Sequence, residues 1–230
     1  MINRFFILFF IMILTTVSAN GIAVSYDYLT TNEETKVQLY NLFSKYKIEA
    51  YPSFSFFEKS QKLKPADFVI ASSYFDAEVL GYKKYAQFQI NESDICNYTL
   101  LTINPKWNIN NIQDGKIGLV DFVGRKKIKP FLENILGTKF KRIKRVTKPE
   151  LLYPMLAMQS VDMILIRTAY IKKIQEKYKL PTFEITICKK ISYPSIYVKE
   201  NLKVNAKDFQ LSREQLQKIG FTSLRVTNHK

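Results

Sequence analysis

Residues 115–132 read GKIGLVDFVGRKKIKPFL, an apolar run broken at Gly124 and followed at once by Arg125, Lys126 and Lys127. The pattern predicts a strand over 116–122, a tight turn at Gly124 and a helix over 125–136 that stops at Gly137. A helix N-terminus offers unpaired backbone N–H groups and a positive dipole end, and Arg125 would add a planar fork of donors suited to phosphate or carboxylate oxygens. The alternative is a solvated charge run, and for Lys126 and Lys127 that is the expected reading. Other candidates carry hydroxyls or charge beside apolar runs: Ser72, Ser73 and Tyr74 after DFVIA, and Arg167 with Thr168 after VDMILI. Each has a bland counterpart: a helix cap at Ser72, Ser73 or Thr168, a surface ion pair at Arg167. Tyr28, just past the first apolar run, would stack on a ligand or simply pack. A catalytic nucleophile with its base is not found, because the one histidine, His229, lies at the end of the sequence.

The elements that must position these residues alternate. Strand-like runs at 22–26, 67–75, 116–122, 161–166 and 183–188 are separated by helical patterns at 32–46, 125–136, 148–159 and 168–178. Asn32 and the pair Ser212 and Gln215 read as helix starts, the latter as a capping box. In 32–46 Val37, Tyr40, Leu42 and Phe43 approximate one apolar face. Strands separated by helices indicate βαβ units and mainly parallel sheets. Longer extended stretches at 82–90, 96–105 and 191–198 suit segments that carry the chain between two lobes. The expected fold class is α/β and bilobal.

Composition sets the compartment and the partners. The first residues hold Arg4, an apolar stretch over 5–14 and the small-residue tail Val17-Ser18-Ala19, the pattern of a cleavable signal peptide over residues 1–19. The net charge is +15, and in an exported chain it favours small anionic ligands or an anionic surface over nucleic acid. Cys96 and Cys188 would form a disulfide in an oxidising compartment or remain as two buried thiols. With no paired Cys spacing, neither a metal nor a cofactor is expected.

Three stretches, WNINNIQDGKIGLVDFVGRKKIKPFL, TKPELLYPMLAMQSVDMILIRTAYI and KKISYPSIYVKENL, together resemble the type II periplasmic solute-binding proteins of ABC transporters, in particular the phosphate- and phosphonate-binding branch. The resemblance implies two α/β lobes joined by crossing hinge strands: residues 20–98 plus 195–230 in one, 99–194 in the other. It implies a monomeric, non-enzymatic periplasmic receptor that closes on a small, anionic, phosphate- or phosphonate-like solute. The partner would be an ABC permease, or alternatively a membrane sensor protein. In open α/β sheets ligands bind beyond the carboxyl ends of strands, which makes Tyr28, Ser72, Ser73, Tyr74, Phe122, Gly124, Arg125, Arg167 and Thr168 the expected ligand-binding set. The family's branch usually carries hydroxyl residues where this chain has DFVGRKK.

Overall fold

Two short strands, β1 (Gly21–Ser25) and β3 (Phe68–Ala71), are almost wholly buried. That is the condition under which a parallel strand covered on both faces is uniformly apolar. The computed structural model describes residues 21–26, 29, 30, 32–179 and 181–227, apart from the side chains of residues 173 and 187–190. The expected signal peptide over 1–19, and Tyr28, lie outside these residues.

β1 pairs in parallel with β2 (Lys47–Ala50) on one side and β3 on the other. Helix α1 (Glu33–Leu42) connects β1 to β2 and α2 (Phe54–Leu63) connects β2 to β3, both as βαβ crossovers. β4 (Tyr82–Gln89), β10 (Ser195–Lys199) and β11 (Ser223–Val226) complete the first sheet in the order β11-β4-β10-β3-β1-β2. The second sheet runs β7-β6-β8-β5-β9. It is built from β5 (Ile95–Thr102), β6 (Lys116–Val120), β7 (Arg142–Val146), β8 (Met163–Arg167) and β9 (Phe183–Ser192). Helices α3 (Ile128–Leu136), α4 (Leu152–Ala157) and α5 (Ile171–Tyr178) accompany it.

The fold is therefore α/β and two-lobed, and each lobe has its own apolar core. The chain passes between the sheets twice, at residues 90–94 and at 193–194. The backbone N–H of Tyr193 donates to Asp94 O at 2.8 Å, which holds the two crossings side by side. Gln87, 1% exposed, fixes the second crossing. Its Nε2 donates to the carbonyls of Tyr193 and Pro194, and its Oε1 accepts from Ser195 Oγ.

Helix starts and stops follow the sequence closely. Asn32 Oδ1 accepts from Thr35 N, and the Ser212–Gln215 capping box opens α6 (Arg213–Lys218) with both reciprocal bonds present. Removing the hydroxyl in Ser212→Ala leaves one of those N–H groups without its acceptor, and chemical denaturation should show a loss of about 1 kcal/mol. Two details depart from expectation. α1 buries Thr35 and Leu39 and turns Val37 outward at 52% exposed, so its inner face is rotated from the predicted one. α3 starts at Ile128 rather than at 125, with residues 124–127 forming the turn that precedes it.

Candidate functional site: the interlobe cleft

The carboxyl ends of β1 and β3 from one lobe, and of β6 and β8 from the other, bring the candidate residues together in two groups. The inner group lies at the hinge. Arg167 ends β8, is 7% exposed, and projects its guanidinium over three tyrosine rings. The centroid of Tyr26, at the end of β1 in the opposite lobe, is 5.4 Å away, and those of Tyr170 and Tyr193 are 5.7 and 5.8 Å away. Its Nε donates to Cys96 Sγ at 3.2 Å. A planar, delocalised cation is the one basic side chain that can lie against several aromatic faces and still direct N–H donors sideways. Burial, followed by the adjacent Cys96 sulfur, pushes the Tyr193 hydroxyl up to about 12, so it stays protonated and can donate at neutral pH.

A cavity of about 390 Å³ opens beside this cluster, lined among others by Cys96, Asn97, Arg167, Thr168, Tyr170 and Tyr193. The register of β1 on β3, Ser25 opposite Ala71, sets Ser72 next to Tyr26 at the adjoining strand end. Ser72 is 2% exposed and its Oγ finds no hydrogen-bond partner among the described residues. A buried hydroxyl left in that state costs about 1–3 kcal/mol, a penalty that a bound acceptor would remove. Ser73 is exposed. Thr168 caps no helix: its Oγ1 is 2.8 Å from Thr99 Oγ1, which holds the turn after β8 against β5. The backbone of Cys188 stands opposite Tyr98 on β9, one strand from Cys96; its side chain lies outside the described residues, and with it the expected pairing.

The outer group forms the lip of the cleft. Gly124 takes φ +80°, as a tight turn after β6 requires, and its N–H donates to Asp121 Oδ1 at 3.0 Å. Asp121 is held in turn by Arg145 across the β6–β7 pair. A carboxylate thus occupies the N–H that an anion-cradling loop would offer. Arg125 and Lys126 are exposed. Lys127 corrects the expectation that it points to water. It crosses to the first lobe, where its ammonium bonds Glu58 Oε1 at 2.9 Å and Asp76 Oδ2 at 2.6 Å. Partial burial works against its charge, yet the Asp76 and Glu58 carboxylates hold its pKa above the ordinary lysine value. That contribution is present at neutral pH and is lost only as pH rises through the raised value.

Beneath this ion pair the lobes touch through aromatic rings. Tyr74 meets Phe131 edge-on at 4.8 Å, and Phe131 meets Phe122 at 5.0 Å. Phe122 is itself 7% exposed and lies within the second lobe's core. A Cβ at Gly124 would sit 3.4 Å from Phe54 Cδ1 of the opposite lobe. That is ordinary contact distance, so Gly124→Ala should cost about 1 kcal/mol through its positive φ alone, measured by denaturant unfolding.

Sequence reasoning missed Tyr26, Cys96, Tyr170 and Tyr193 as partners of Arg167, and Glu58 and Asp76 as partners of Lys127. Tyr26 was within reach of it, because it follows β1 as Ser72 follows β3.

No protein-family model matches the chain, and no curated protein matches its sequence. Solved structures do. The binding protein component of an ABC phosphonate transporter from Pseudomonas aeruginosa superposes with a TM-score of 0.66 at 13% identity, covering 90% of this chain and 80% of that one. A Xanthomonas citri protein bound to ATP gives 0.63 at 8% identity, covering 92% of both chains. A histidine kinase sensor domain with similarity to periplasmic binding proteins gives 0.53 at 11%, covering 88% of this chain and 87% of that one. The fold is that of the two-lobed, type II periplasmic binding proteins, and at these identities the likeness is one of fold.

Proposed function

We propose that this chain is an exported solute receptor, not an enzyme, that closes its lobes on a small molecule bearing an acidic group. The observation that carries the reading is Arg167, a buried cation at the end of β8 that meets Tyr26 of the opposite lobe beside a cavity of about 390 Å³. Arg167 would engage the acid. Ser72 would supply a further hydrogen bond, and the protonated Tyr193 another. Tyr170 and Tyr193 would cover the rest of the solute. Arg125, at the exposed lip, would act on approach rather than in the bound state. Two of the similar structures support a phosphorus oxyacid as the first class to test, one being a phosphonate-transporter component and one an ATP complex.

An ABC permease would then receive the solute. The similar sensor domain supports a second partner, a membrane signalling protein that reads closure instead of accepting cargo.

A thermal-shift screen with phosphate, methylphosphonate, sulfate, short carboxylates and amino acids tests the reading. A ligand at one hundred times its dissociation constant stabilises the folded state by about 2.7 kcal/mol. For a chain of this size that amounts to roughly 5–10 °C. A saturable shift with one acid class is the expected result, and equal melting temperatures throughout the panel would contradict it.

A further inference from the structure

The charge of this protein is divided very unequally between its lobes. Residues 95–192 carry 19 Lys and Arg against 7 Asp and Glu, a net +12, whereas residues 21–94 and 193–230 together carry only +2. Solubility needs no such division, since charge of one sign spread over both lobes would serve as well. Much of the excess surrounds β7, the edge strand of the second sheet. Lys141, Arg142, Lys144 and Lys148 are exposed just before, along and just beyond it, and Arg125 and Lys126 are exposed beyond the carboxyl end of neighbouring β6, on the side of Lys148. Protection of a sheet edge from mispairing accounts for Arg142 and Lys144, which share one face of the strand. It does not account for Lys141, Lys148 or the pair beyond β6. Acids meet part of this row: Arg142 pairs with Asp162 and donates to the carbonyl of exposed Asp114, Arg145 pairs with Asp121, Glu133 pairs with Lys139, and Glu150 is exposed nearby. Leu151, 47% exposed, follows Lys148 on the next turn and adds an apolar contact beside the basic row.

We propose that the β7 face of the second lobe docks on an anionic phospholipid surface. Arg142 and Arg145 are paired with acids, but exposed Lys141, Lys144 and Lys148 make no ion pair among the described residues, and such a row of uncompensated ammonium groups matches a continuous sheet of negative headgroups better than the mixed charges of a folded partner. Docking through this lobe alone would leave the first lobe to swing about the hinge while the protein stays at the membrane.

Co-sedimentation of the full chain with vesicles tests this, comparing pure phosphatidylcholine with a phosphatidylcholine–phosphatidylglycerol mixture. Any contribution from the apolar N-terminal stretch is common to both, so the difference isolates the charge effect. Lys141, Lys144 and Lys148 replaced together by Gln should reduce binding to the anionic vesicles by about a hundredfold, each lysine contributing roughly fivefold. The same charge change on the first lobe, Lys59→Gln with Lys62→Gln and Lys203→Gln, should leave it within a few-fold. High salt should abolish the difference between the two vesicle types. Equal binding to both vesicle types overturns the proposal, as does an equal loss in the first-lobe control. Capture by immobilised poly-L-glutamate without binding to anionic vesicles also overturns it, and would assign the face to an acidic polypeptide.

Discussion

Replacing Arg167 by Ala should sharply weaken the proposed binding of an acidic solute while the protein still folds. Removing one member of a buried, hydrogen-bonded charge pair costs about 2–5 kcal/mol of binding, or thirtyfold to several thousandfold in affinity. The loss is large because the arginine works in a confined space between tyrosines of both lobes, where water cannot replace it. Arg167→Lys should recover little. An ammonium keeps the charge but cannot lie flat against the rings of Tyr26, Tyr170 and Tyr193 while its donors point elsewhere. Titration calorimetry of both variants, with circular dichroism to confirm folding, separates a binding role from a structural one. If Arg167→Lys bound like the unmodified protein, charge alone would suffice and the aromatic setting would be incidental. Stability should fall as well, because three rings lose the group packed between them.

Replacing Lys127 by Ala opens the ligand-free protein. Its ammonium bridges Glu58 and Asp76 across the cleft mouth, so truncation removes two charge-assisted contacts and leaves two carboxylates near each other. Hydrogen bonds to charged groups contribute about 1.5–3 kcal/mol when buried. With the lysine side chain 33% exposed, solvent screening lowers that figure, and a shift of roughly tenfold toward the open state is expected. Small-angle scattering should show a larger radius of gyration for Lys127→Ala than for the unmodified protein. Lys127→Gln, which can still donate one hydrogen bond, should lie between them. That result would give the proposed closure a component independent of ligand, supplied by residues at the cleft mouth. A receptor with such a latch needs less differential affinity from its solute to complete closure.

The α/β alternation was legible because buried parallel strands are short apolar runs between amphipathic helices. Caps at Asn32 and Ser212 were legible for a similar reason, each being fixed by local hydrogen bonds. Elements with weaker periodicity were not: α2 has exposed Phe56 and Leu63 beside buried Phe54 and Phe57, and β7 has charge at three of its five positions. The inner face of α1 was misjudged because Val37 and Tyr40 are apolar but turn outward, while Thr35 is polar but buried. In the cleft, Ser72 and Arg167 could be placed at strand ends from pattern alone. The direction of Lys127 could not. It depends on Glu58 and Asp76, 69 and 51 residues away along the chain, and on how far the two lobes approach. Long-range ion pairs of this kind leave no trace in local spacing.

The most direct test is small-angle scattering of Lys127→Ala with and without each acid of the screening panel. If the protein is a hinge-bending receptor for an acidic solute held at Arg167, one class of acid returns the opened variant to the radius of gyration of the unmodified protein, and the same acid has no effect once Arg167 is also replaced. A radius that stays unchanged with every acid, including any that raises the melting temperature, would place binding outside the cleft and contradict the account.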